Sequence, residues 1–188
     1  MILNKFVFIA LSLLFFCCGK NTDVPKPIGN LRLTYPKNEY DLFSEKNAPF
    51  EFQKSIYTKI EQREKQGWVN LHYPNLKATL YITYSPVNNN LYQLIKDTEK
   101  LTFDKHTIKA IEINGQPYEN KEKKVYGTLF RLVGNTATNL QFYATDSTKH
   151  FMSGAFYFRT KPNYDSLLPA IDYAEKDIKT LIESIKWR

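Results

Sequence analysis

Three different arrangements of apolar and polar residues follow one another along this chain, and each predicts a different kind of element. The first is a nearly continuous apolar run over 6–16, interrupted only by Ser12, preceded by Lys5 and closed by Cys17 and Cys18 before the polar Gly19, Lys20 and Asn21. A basic start, a short apolar stretch and a small residue at a cut point describe an export signal. A membrane span would need about 20 apolar residues. Residues 19–29 are polar, with prolines at 25 and 27, and read as an extended tether.

The second arrangement is strict alternation, the mark of half-buried strands. It occurs at 31–35 before Pro36, at Phe50, Glu51 and Phe52 leading towards Ile56 and Tyr57, at 68–73 before Pro74, and most clearly at 78–84. In that last stretch Leu80, Ile82 and Tyr84 share one face and Thr79, Tyr81 and Thr83 the other. The short gap 74–77 suits an antiparallel hairpin. Strand character returns at 108–113, 125–133, 139–145 and 151–159, where Gly127 suggests a bulge or a close backbone approach. Gly134-Asn135 and Asp146-Ser147 supply turns.

The third arrangement is helical. Leu91, Leu94, Ile95, Thr98 and Leu101 recur at helical spacing after Asn90, which is placed to cap a helix reaching about Phe103 or His106. Near the end of the chain Leu167, Leu168, Ile171, Ala174, Ile178, Leu181, Ile182 and Ile185 form one stripe. Asp172, Glu175, Lys176, Asp177, Lys179, Glu183 and Lys186 fill the remainder. Asp165 or Ser166 can cap this helix, and Pro169, tolerable in a first turn, puts its start near Ser166. Strands, helix, strands, helix predict an α+β fold: an antiparallel sheet flanked by helices, with the C-terminal amphipathic helix packed on it.

Composition narrows this picture. Removing 1–17 leaves 171 residues, enough for one domain with its own core, expected over 30–188. No cysteine follows Cys18, so an exported domain would rely on packing without a disulfide framework. A cut before Cys18 leaves the small Cys17 ahead of it, whereas a cut before Cys17 would leave bulky Phe16. Cys18 is therefore the expected lipidated residue, with 18–29 as lipidated cysteine and tether. An ordinary secretory signal or a buried cysteine pair is the competing reading. Loss of Lys5 takes the formal charge from +7 to +6. The lysines are scattered, and the densest cluster, Lys121-Glu122-Lys123-Lys124, is broken by an acid. This reads as a solvated basic surface, with no nucleic-acid partner expected of an exported protein. The 13 Tyr and 13 Phe against 7 Gly suit half-buried sheet faces.

Candidate chemistry is sparse. Asp146, Ser147, Thr148, Lys149 and His150 form the densest polar cluster, but a hydrolase triad is assembled in space and adjacency supplies no such geometry. Between two strands these residues read as a hairpin turn. His72, His106 and His150 show no closely spaced pair of metal-ligand type, so no metal is expected. The chain has no glycine-rich phosphate loop, CxxC pair or GxSxG elbow, and neither a cofactor nor a catalytic residue is expected. Partner-contact residues are expected instead: Asp146, Lys149 and His150 at the turn, with Trp68 and Trp187 as possible anchors. Both tryptophans also admit a core-packing reading, Trp187 by completing the helical stripe. A rival is a ligand-binding cleft between sheet and helix, lined by Tyr81, Tyr143 and Tyr157. An enzyme acting on envelope material would need Asp146, His150 and another polar group to meet in a cleft.

Several strings carry a resemblance: Val24-Pro25-Lys26-Pro27 leading into Leu31-Arg32-Leu33, Trp68-Val69-Asn70-Leu71-His72-Tyr73-Pro74, Lys105-His106-Thr107-Ile108-Lys109-Ala110 and Val125-Tyr126-Gly127. The longest is Gln141-Phe142-Tyr143-Ala144-Thr145-Asp146-Ser147-Thr148-Lys149-His150-Phe151, continued by Gly154-Ala155-Phe156-Tyr157-Phe158. Pro162-Asn163-Tyr164-Asp165-Ser166-Leu167 and Lys186-Trp187 complete the set. Together they resemble the GldD family of gliding-motility lipoproteins of Bacteroidota. The resemblance implies a role in gliding, partners among the envelope proteins of the gliding and type IX secretion machinery, and attachment to the membrane through a lipid. It implies no biochemical activity. The final strand, Pro-Asn-x-Asp-Ser turn and helix are also similar to the PsbP-like α-β-α sandwich, an analogy of fold alone. Gly19, in place of the aspartate that often retains lipoproteins in the inner membrane, favours the outer membrane. Without an early acidic run after Cys18, the periplasmic face is expected.

Overall fold

The computed structural model describes residues 34–106 and 109–188, and in it the alternating segments pair into two antiparallel sheets. Strands β1 (Tyr40–Phe43), β2 (Phe50–Ser55), β3 (Lys59–Gln62), β4 (Val69–Tyr73) and β5 (Ala78–Pro86) precede helix α1 (Leu91–His106). Strands β6 (Ala110–Asn120), β7 (Val125–Gly134), β8 (Thr138–Thr145) and β9 (His150–Phe158) follow it, then α2 (Tyr164–Ser184) and β10 (Lys186–Trp187). Among the described residues the larger sheet runs β3-β4-β5-β9-β8-β7-β6 and the smaller β1-β2-β10. The early and late halves of the chain meet where β5 pairs with β9, in a register running from Ala78 opposite Phe158 to Pro86 opposite His150.

The alternation decides which side chains go inward. Leu71, Leu80, Ile82, Phe142, Met152 and Phe156 are fully buried in one cluster with Ile171, Ala174, Ile178, Leu181 and Ile182 of α2. Phe43, Phe50 and Phe52 of the smaller sheet stack within the same cluster. Helix α1 contacts the sheet more lightly. Phe103 meets Phe130 edge-on at 5.9 Å, and Thr102 donates a buried hydrogen bond to Gln141 at 3.0 Å, while Leu101 stays 56% exposed. Arg131 of β7 ties the sheet to α2 by bonding both Asp172 and Glu175.

Several local expectations are corrected. In the expected strand at 31–35, residues 31–33 lie outside the described residues, and Thr34 and Tyr35 belong to no strand. Tyr35 instead stacks on Tyr173 at 5.0 Å, and Asn38 donates to Asp177 Oδ1 at 2.7 Å. The strand expected at 108–113 runs over Ala110–Asn120, straight through Gly115 and Pro117. It is the outermost strand, where a residue without an N–H breaks no ladder. Helix α2 begins at Tyr164 with Asn163 as its cap, its side-chain oxygen accepting from Ser166 N–H, rather than with Asp165 or Ser166. Pro169 therefore lies in the second turn. The carbonyl it leaves unpaired belongs to exposed Asp165, where water can take it. The Asn90 side chain accepts from Asn88 N–H behind it, and its backbone carbonyl opens α1 by accepting from Leu94. The signal, Cys18 and the tether lie outside the described residues.

Gly127 sits where β7 passes closest to β8. A Cβ built there would lie 2.0 Å from the Tyr143 carbonyl oxygen, and the β7–β8 register is unbroken at this point, so the glycine serves a close backbone approach and not a bulge. The obstacle is backbone and cannot rotate aside. Gly127→Ala is expected to cost about 2–3 kcal/mol, the scale of forced overpacking, read as a lower urea midpoint. An unchanged midpoint would mean that the two strands separate without penalty.

Candidate functional site

The turn between β8 and β9 is built by one carboxylate. Asp146 Oδ1 accepts from the backbone N–H groups of Thr148, Lys149 and His150 at 2.8–2.9 Å, and Oδ2 accepts from the Thr148 hydroxyl at 2.8 Å. Ser147 takes the left-handed conformation at φ 69°. Burial pushes the Asp146 carboxyl up, but the three backbone donors and the hydroxyl outweigh it and hold its pKa at about 2. The charge is thus spent on shaping the turn.

That turn presents the next two residues. Lys149 is exposed, and among the described residues its ammonium has no hydrogen bond or ion pair. His150 Nδ1 shares a 3.0 Å hydrogen bond with the Tyr84 hydroxyl, and its ring lies flat on Trp187, with centroids 5.2 Å apart and planes 7° apart. Burial lowers the His150 pKa; Lys149 adds to the shift and Asp146 opposes it, leaving a neutral imidazole at pH 7.

Trp187 arrives from the other end of the fold. It pairs with Phe50 across the smaller sheet, packs against the core, and donates its indole N–H to the Lys124 carbonyl at 3.0 Å. Three segments distant in sequence therefore meet: the β6–β7 turn, the β8–β9 turn and β10. They bound an open cleft of about 480 Å³ whose lining includes Lys123, Lys124, Asp146, Lys149, His150 and Trp187.

Four of the five expected contact residues, Asp146, Lys149, His150 and Trp187, come together here. Trp68 does not line this cleft. It borders a separate one with the β1–β2 and β3–β4 connections, carries Lys65 over its ring at 4.7 Å, and donates to the Tyr84 carbonyl at 3.2 Å. Tyr84 is the link, holding Trp68 by its backbone and His150 by its hydroxyl. Trp187 belongs to β10 and not to the helical stripe, which ends before it.

Asp146 and His150 do share a cleft, yet they form no acid–base pair, because the carboxylate faces backbone donors and Nδ1 faces Tyr84. His72 is engaged elsewhere, with Nε2 on Glu61 at 2.9 Å and Nδ1 on Thr79 at 3.0 Å; the His106 side chain lies outside the described residues. Among the described residues no group of three or more His, Cys, Asp or Glu is placed to hold a metal. Tyr81 and Tyr157 pack edge-to-face at 5.7 Å, while Tyr143 stacks on Phe151 at 5.9 Å and accepts from Thr128 at 3.2 Å. These rings fill one another's space on the sheet face away from the main core.

One polar residue was expected in solvent and is buried. Asp177 is 2% exposed, Asn38 satisfies its Oδ1, and among the described residues its Oδ2 has no hydrogen-bond partner. Among the described residues the hydroxyls of Tyr35, Ser55 and Tyr173 are also buried without a hydrogen-bond partner. Burial raises the Asp177 pKa, against the opposing effect of Asn38 and the neighbouring Tyr40, Ser55 and Tyr73 hydroxyls. The signal was available: 177 lies three residues after Ala174 and four before Leu181, which is on the apolar stripe.

The domain, an antiparallel sheet flanked by helices, has a PsbP-like sandwich fold. It is similar to the solution structure of cyanobacterial PsbP (CyanoP) from Synechocystis sp. PCC 6803, with a TM-score of 0.52 over 87% of this chain and 100% of that one. At 13% identity the likeness is one of fold. Residues 20–187 match the family described as gliding motility lipoprotein GldD, and the chain belongs to that family. No curated protein matches it. Among the described residues no helix is long and apolar enough to cross a membrane.

The two aspartates should respond to pH with opposite signs. Asp146 has a depressed pKa, so its contribution is present above the ordinary aspartate value and is lost as pH falls towards about 2. Asp146→Ala should lose about 1–2 kcal/mol at pH 7 after allowance for solvent screening, a gap that narrows between about pH 4 and pH 2 in urea melts. A gap independent of pH would contradict this. Asp177 has a raised pKa, so its contribution is present below the ordinary value and is lost as pH rises through the folded value. Asp177→Asn should be at least as stable as the parent at pH 7 and should flatten that decline; a large loss at neutral pH would show the charge to be needed.

Proposed function

We propose that this gliding-motility lipoprotein works as a non-enzymatic adaptor, presenting the Trp187–His150 cleft to proteins of the gliding and type IX secretion machinery and supporting their assembly or stability. The observation that carries the reading is the preorganisation of Trp187. Its ring is stacked on His150 and pinned by the Lys124 carbonyl, and it borders an open cleft. A rigid, half-buried indole loses little freedom on binding, which is why tryptophan anchors interfaces well. The proposed organisation is a signal over 1–17, a lipid on Cys18, a tether to residue 29 and one domain over 30–188. The lipid confines the domain to one membrane face, taken here as the periplasmic face of the outer membrane. Confinement raises its effective concentration towards partners on the same face.

Two substitutions test this. Cys18→Ala should release the protein from membranes and abolish acyl labelling, and colony spreading should fail. Lys149→Glu should leave membrane attachment and thermal melting intact while spreading is lost. Unchanged fractionation of the first variant would refute the anchor. Normal spreading of the second would refute the contact face.

A further inference from the structure

We infer that the Trp187 cleft takes an acidic polypeptide segment, with an apolar side chain laid on the indole and two carboxylates meeting Lys124 and Lys149; the inference rests on the contact reading above. Most of the charges at the cleft are already engaged. Lys123 donates to the Glu183 carbonyl at 2.7 Å. Lys186 and Arg188 both pair with Glu51, at 3.5 and 3.0 Å. Asp146 is occupied by three backbone N–H groups. Lys124 and Lys149 remain; among the described residues neither ammonium has a hydrogen bond or ion pair, and both line the cleft.

Two available positive charges flank a neutral aromatic floor. The floor is rigid, because Tyr84 holds His150, His150 stacks on Trp187 and the Lys124 backbone holds the indole N–H. The Lys124 main chain thus fixes the ring, and Lys124 also lines the cleft. Such an arrangement complements an apolar group with acidic neighbours. A densely charged polymer fits less well. Two free lysines neutralise little of its charge, and Glu122 on the same rim repels the rest. These counts favour a short stretch of polypeptide over an acidic glycan.

The test uses the full chain in detergent micelles and a capped pentapeptide of serine, glutamate, leucine, glutamate and serine. The indole N–H resonances of Trp187 and Trp68 report separately in nitrogen-correlated NMR spectra. Titration should shift the Trp187 signal and leave Trp68 in place. Replacing both glutamates of the peptide by glutamine should weaken binding about fivefold, the scale of two solvent-exposed charge contacts. The double variant Lys124→Gln/Lys149→Gln should lose a similar factor while melting normally. Raising salt from about 50 to about 500 mM should weaken binding as screening shortens the reach of the charges. No movement of Trp187, equal affinity for the glutamine peptide, or a response to oligogalacturonate alone would overturn the inference. Loss of spreading in Lys149→Glu without a peptide response would reject this occupant and keep the contact reading. A peptide response with normal spreading would do the reverse.

Discussion

The pairing of β5 with β9 sets where both the core and the cleft of this domain lie. It joins segments about seventy residues apart through nine facing pairs, from Ala78 opposite Phe158 to Pro86 opposite His150. Because side chains alternate strictly along each strand, this register makes Leu80, Ile82, Met152 and Phe156 face one way together. The common face is what α2 covers with Ile171, Ala174, Ile178 and Leu181. A slip of one residue would turn the slipped strand's apolar set away from the helix. The same register brings the start of β9 beside the end of β5, so that Tyr84 reaches His150. Core and cleft are thus fixed by one ladder.

Two aspartates show how far environment divides identical side chains. Asp146 faces backbone donors at a half-exposed turn and is held ionised. Asp177 sits in α2 among tyrosine hydroxyls, partly unpartnered, and is pushed towards its neutral form. The first gives the β8–β9 turn its shape and so aims Lys149 and His150. The second, through Asn38, holds the segment before β1 against α2, next to the Tyr35–Tyr173 stack. A charge spent on local geometry and a carboxyl spent on docking a segment serve different ends of the same domain.

Much of the fold was legible because its signals are local. The alternation at 78–84 and the stripe of α2 each need only a dozen neighbouring residues to be read. Strands β1, β3 and β10 span four, four and two residues, too short to display a period, and they owe their existence to the partners they pair with. The strand expected to stop at 113 runs on through Pro117, because a sequence does not say which strand will lie at an edge. Asn163 was overlooked as a cap because Pro169 drew the helix start too far along. The site divides the same way. The Asp146 turn follows from Asx chemistry within five residues, whereas the stack of His150 on Trp187, held by Lys124, needs three distant segments in one place. The family strings pointed to gliding motility without pointing to a cleft.

If this cleft, held at the membrane, is where the protein meets its partners, a residue on its rim must touch them in the cell. Site-specific photocrosslinking in gliding cells reads that contact, with the crosslinking amino acid placed at Lys149 and, as a control, at Tyr92, which is 77% exposed on α1. A discrete adduct is expected between position 149 and an envelope protein of the gliding machinery, and none from position 92. No adduct at 149, or the same adducts from both positions, would contradict it.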